Sequence, residues 1–164
     1  CEIKIQTRKE IAPEEKFNLW TGTGQVLIQP KDNGQEMTFT IPVNEPGNYR
    51  IDALVTIAPG YGSFSTAVDQ KEADISYPEI TLTEGRDYLS KPKTSMIFDA
   101  QKVYKDRENN GIENNIAGSY TVQRITLGTF ETEADHFKVS LTSGDYTPDH
   151  SLIGIDQFIV TKKQ

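Results

Sequence analysis

Apolar and polar positions alternate along most of this chain in short runs. In Gln35–Val43, Met37, Phe39 and Ile41 fall on one face and Thr38 and Thr40 on the other. In Asn48–Ile57 the apolar face is Tyr49, Ile51, Ala53, Val55 and Ile57, and in Gly62–Gln70 it is Phe64, Thr66 and Val68. Phe137, Val139 and Leu141 alternate with Lys138 and Ser140, and Ile153 and Ile155 open a further run. Shorter signals lie in Cys1–Gln6, in Gly24–Pro30 and in Ser119–Phe130. Turn residues separate these runs, so the pattern predicts about eight or nine short strands in an antiparallel β-sandwich or barrel.

The stretch from about residue 86 to 119 breaks the pattern. It is polar and irregular, and predicts an insertion with one helix of two or three turns within Ser95–Asp106. Ile97, Ala100, Val103 and Tyr104 would share a side of that helix, and Asn-Gly at 110–111 marks a turn. No internal repeat is visible. With 164 residues, a single domain over 1–164 can bury a core without staples.

Charge narrows the partners. There are 17 basic and 24 acidic side chains, a formal charge of −7, and no basic stripe. A phosphate backbone would be repelled, so nucleic acid is not an expected partner. No apolar run approaches the length needed to span a bilayer. Cys1, the single cysteine, cannot pair within the chain. Its position raises two readings, a lipid-bearing cysteine of an exported surface protein and a mere boundary of the chain. In the first, Cys1 is the sole link to a membrane.

Catalytic signatures are absent: no H-E-x-x-H, no G-x-S-x-G, no phosphate-cradling glycine loop, and no metal-ligand spacing around His136 or His150. A pair of carboxylates facing each other across a cleft leaves no mark in sequence, so a glycoside hydrolase stays open at this level. Aromatic residues in loops are more informative. A Tyr or Trp ring stacks on the apolar C–H face of a sugar while nearby polar side chains bond its hydroxyls. Trp20, Tyr61, Tyr88, Tyr104 and Tyr146 are the candidates. Tyr61 stands in Pro59-Gly60-Tyr61-Gly62, a turn that needs its glycines but not its tyrosine. His150 follows Asp145 and Tyr146 in another loop. Tyr61, Tyr104, Asp145, Tyr146 and His150 form the predicted ligand-binding set, and each aromatic has the alternative of merely closing the end of the sandwich.

Several short motifs occur in a familiar order: Trp20-Thr21-Gly22, Gly47-Asn48-Tyr49-Arg50-Ile51, Tyr61-Gly62, Val68-Asp69, Asp135 to Val139, and Gly154-Ile155-Asp156 running on to Val160. Over residues 17–85 and 120–162 the chain resembles the galactose-binding-like jelly roll of carbohydrate-binding modules of families 6 and 35. Those modules accompany bacterial glycan-degrading enzymes and surface lipoproteins. The resemblance implies a non-catalytic, exported module that binds an oligo- or polysaccharide beside a catalytic neighbour. It also implies a structural calcium held by an amino-terminal glutamate pair and the last-strand aspartate, here Glu2 and Asp156. Two departures stand out. The family's Leu-Asp-Gly turn is Val68-Asp69-Gln70, and Gly154 stands where sugar-binding members often carry asparagine. The missing asparagine and the polar insertion favour the alternative of a structural or protein-interaction domain.

Overall fold

A computed structural model describes residues 2–7, 24–83, 87–109, 121–144 and 146–164. The expected all-β sandwich is present in two antiparallel sheets. The larger has seven strands in the order β1 (Glu2–Thr7), β2 (Gly24–Gln29), β12 (Ile153–Lys162), β4 (Gly47–Ile57), β10 (Thr121–Thr132), β7 (Ile75–Thr83) and β8 (Asp87–Ser95). The smaller runs β3 (Glu36–Pro42), β11 (His136–Ser143), β5 (Ser63–Val68) and β6 (Lys71–Glu72), and β9 (Ile97–Asp99) pairs with the other half of the β5 edge. The single helix among the described residues, α1 (Ala100–Asn109), follows β9 directly.

The alternation sets the core. Ile51, Ala53, Val55 and Ile57 of β4 are buried against Phe64 and Val68 of β5 and Phe137, Val139 and Leu141 of β11. The Tyr49 and Phe137 rings meet edge to face at 5.8 Å between the sheets. A second aromatic group, Phe64, Phe98 and Tyr77, joins β5, β9 and β7.

The expected irregular insertion is corrected by the structure. Asp87–Ser95 is a strand on the outer edge of the larger sheet, paired with β7 so that Pro92 lies opposite Pro78. Proline lacks the ladder donor, and two prolines can face each other only where the pair exchanges no hydrogen bonds. The helix starts at Ala100, where Asp99 Oδ1 accepts the backbone N–H groups of Gln101 and Lys102 as a cap. Ala100 and Val103 are buried as expected, but Ile97 belongs to β9 and is exposed. Arg107, in the last turn, donates to Thr121 Oγ1 and Gln123 Oε1 and ties the helix to β10. Residues 110–119 of the expected insertion lie outside the described residues.

The hairpin that lacks its glycine forms nonetheless. Asp69 and Gln70 both take positive φ, 47° and 68°, as a two-residue turn between Val68 and Lys71 requires. Asp69 compensates with two long-range bonds: its N–H donates to the Lys138 carbonyl and its Oδ1 accepts the Lys138 N–H.

Candidate functional site

The Pro59-Gly60 turn that follows β4 closes with the Tyr61 N–H donating to the Ala58 carbonyl at 3.2 Å, and Gly60 has φ +89°. Proline then glycine with positive φ is the signature of a type II turn. The turn is a crossing point: β4 belongs to the seven-stranded sheet and β5 to the five-stranded one. The chain therefore changes sheets here, and β4 and β5 are not neighbours.

Around this corner the ends of three loops and the helix converge. Gly60 accepts the N–H groups of Ser151 and Leu152 through its carbonyl, and the Gly62 N–H donates to the Leu152 carbonyl. A Cβ on Gly62 would lie 2.6 Å from the His150 carbonyl oxygen, so the close approach of the two backbones requires glycine. From the other side, Gln101 of α1 donates its side-chain amide to the Ala58 and Tyr61 carbonyls. The loop after β2 joins through Gly34, whose N–H donates to the Ser143 carbonyl, and through Asn33, whose Oδ1 accepts the Tyr146 N–H.

Tyr61 itself lies beneath this assembly. It is 1% exposed, and its hydroxyl accepts a bond from Gln25 Nε2 at 2.7 Å. The expectation of a ring held out for ligand is corrected: the backbone bridge between Tyr61 and Leu152 turns the residue inward, and its face is covered. Gln25, also buried, donates to Gln6 Oε1 as well and accepts a bond from the Thr56 hydroxyl. Four polar side chains from β1, β2, β4 and the corner thus satisfy one another, three of them buried and Gln6 partly so.

Gly154 is explained by the same group. It lies in β12, between β2 and β4, and a Cβ there would fall 2.1 Å from Gln25 Oε1 and 2.9 Å from the Tyr61 ring. An asparagine at this position would need the volume that Gln25 and Tyr61 occupy. Gly154→Ala is expected to cost about 1–2 kcal/mol through overpacking, read as a lowered denaturation midpoint with an unchanged slope.

The other predicted site residues divide. Tyr146 is half-buried and His150 exposed, both in the segment between β11 and β12 that rests on the corner. The His150 N–H bonds back to Thr147, closing a local turn. Tyr104 packs against the core from α1. Tyr88 lies in β8, opposite Leu82 and outside the corner's loops. Asp145, Trp20 and Cys1 lie outside the described residues. Sequence reasoning missed Gln25, Asn33 and Gln101. Asn33-Gly34 is a visible turn signal, but its bond to Tyr146 joins residues 113 positions apart.

The calcium expectation meets a poor fit. Glu2 pairs with Gln29 at one end of β2, whereas Asp156 follows Ile155, which pairs with Val26 at the other end, two strands away. One ion cannot be shared by carboxylates so placed. Among the described residues there is no group of three or more His, Cys, Asp or Glu positioned to hold a metal ion.

No family model and no curated protein matches the chain. It is similar to solved structures of sugar-binding domains. One is the EclA C-terminal domain, a sugar-binding protein, at TM-score 0.43 and 11% identity over 92% of this chain and 86% of that one. Another is the family 35 carbohydrate-binding module from Clostridium thermocellum, at 0.41 and 12% over 96% and 98%. A third is TmCBM61 in complex with beta-1,4-galactotriose, at 0.38 and 10% over 98% and 88%. At such scores and identities, what this chain binds has to be argued from its own side chains.

Proposed function

We infer that the chain is a non-catalytic carbohydrate-binding module whose ligand lies across the loop end of the sandwich, on Tyr146 and His150. The observation that carries this reading is the setting of Tyr146. It is partly buried with some of its surface still open, its own backbone is pinned by Asn33, and the loop that bears it is tied to the corner at Gly60 and Gly62. A platform held this way loses little conformational freedom when a sugar ring stacks on it. Asp149 and His150 of the same loop, and Asp32 beside Asn33, are exposed and carry groups that bond hydroxyls. A shallow site of this kind supports weak, reversible binding.

The test is a glycan array followed by calorimetry on the best polysaccharide. Tyr146→Ala is expected to weaken binding roughly tenfold, the loss of one stacked ring, with the melting temperature nearly unchanged. An array with no saturable binder among plant, host and microbial polysaccharides would remove the reading.

The burial of Tyr61 favours a second reading, a structural or protein-interaction domain. The edge strand β1 adds to it, since Ile3 and Ile5 are 56% and 61% exposed. In that case the array stays empty, and substitutions at Ile3 and Ile5 alter association with a partner while Tyr146→Ala does nothing.

A further inference from the structure

A cavity of about 280 Å³ opens at the turn between β3 and β4, lined by Pro42, Val43, Asn44, Glu45, Tyr49, Val160 and Lys162. Its size is near the lower bound of small-molecule sites, roughly 300 Å³, and it is an open hollow whose lining is divided about evenly between apolar and polar surface. Pro42, Val43 and Val160 supply apolar lining, with Pro42 exposed and the two valines partly buried. Lys162 and Glu45 form an ion pair at its rim.

The walls are fixed before any ligand arrives. The Tyr49 hydroxyl donates to the Glu45 carbonyl at 2.6 Å, and the Val43 N–H donates to the Asp135 carbonyl at 2.8 Å. The end of β12 is anchored by the Lys163 N–H on the Asn48 carbonyl. Both partners of the ion pair therefore stand on held backbone.

The pair has spare capacity. An ammonium carries three donors and a carboxylate two acceptor oxygens, so one mutual bond leaves each able to make another. A donor beside an acceptor matches two adjacent hydroxyls: one oxygen accepts from Lys162 while the neighbouring O–H donates to Glu45. The apolar side chains of Val43 and Val160 in the same lining suit the C–H face of the ring that bears the hydroxyls. The geometry points to a second ligand site here, for the terminal ring of a neutral pyranoside that carries a vicinal diol. It does not rest on the loop site, with which it shares no residue.

The test is ¹⁵N-resolved NMR of the whole chain titrated with methyl glycosides of galactose, glucose and mannose. Saturable shifts are expected at the amides of Val43 to Glu45 and Val160 to Lys162, with a dissociation constant on the order of 1 mM or weaker. Lys162→Met and Glu45→Gln, both at exposed positions, are each expected to weaken that binding roughly tenfold by removing one charge-assisted bond. Tyr146→Ala is expected to leave it intact, which separates failure here from failure at the loops. Glycerol, an acyclic triol with vicinal hydroxyls but no ring face, should leave these amides unmoved. The proposal is overturned if no glycoside shifts them, if the shifts survive both rim substitutions, or if glycerol reproduces them.

Discussion

Tyr61→Ala is expected to lower the unfolding free energy by about 3–5 kcal/mol, the cost of emptying a buried aromatic site. For a chain of this size that lowers the melting temperature on the order of 10 °C. The ring fills the space beside Gly154, and its hydroxyl takes one of the two bonds that the buried Gln25 amide donates. Tyr61→Phe separates the two contributions. It keeps the ring and strands one amide hydrogen, for about 1–2 kcal/mol. Thermal and urea unfolding of the three proteins checks both figures. If Tyr61→Ala abolished glycan binding while the melting temperature stayed put, the ring would belong to the ligand and not to the scaffold.

A second large effect is expected at Asp52. Its side chain is 1% exposed on β4, and two arginines clamp it. Arg124 donates through Nε at 2.8 Å and NH2 at 2.5 Å to Oδ2, and Arg50 donates through Nε at 3.0 Å to Oδ1. Burial pushes the carboxyl pKa up, but the bonds from Arg124, Arg50 and Thr126 outweigh it and hold the group below the usual carboxylate value. Asp52→Asn removes the charge that both arginines face, and is expected to cost about 2–4 kcal/mol at neutral pH. A carboxyl whose folded pKa is depressed stabilises the protein above its unfolded pKa of about 3.9, and that stability is lost as pH falls through the folded value. The gap between parent and variant should therefore be full at neutral pH and shrink on acidification below about pH 4. Urea unfolding across that range measures it. A gap of constant size would mean that the ion cluster contributes through shape alone.

How legible these features were depended on how local their causes are. The inward faces of β4, β5 and β11 were readable because a period of two survives wherever one side of a strand is buried. The strand β8 was not. Its lysines and Pro92 look like loop, yet prolines and lysines are what an outer strand tolerates, since among the described residues no further strand pairs with its far edge. The corner misled for a different reason. Pro59-Gly60 announces a turn but says nothing of which sheet the next strand joins, and Tyr61 owes its burial to Leu152 and Gln25, both distant in sequence. Gly154 read as a lost ligand contact; in three dimensions it is the space that a buried network needs. Of the expected site residues, Tyr146 and His150 share a loop that rests on the corner, Tyr61 lies under it, and Tyr104 packs partly buried against the core from the helix.

The edge of β5 is guarded by two short pieces of chain, β6 at Ala67 and Val68 and β9 at Ser63 to Ser65. Between leaving as β6 and returning as β9, the polypeptide visits the opposite sheet to lay down β7 and β8. That excursion departs from and returns to a single strand, so its two ends are fixed close together whatever happens in the middle. Closing a longer excursion costs little more than closing a short one, because the entropy grows only with the logarithm of length. The β7–β8 pair is thus a natural place for the fold to vary in length, or to accept grafted sequence, without moving the corner that carries the loop end.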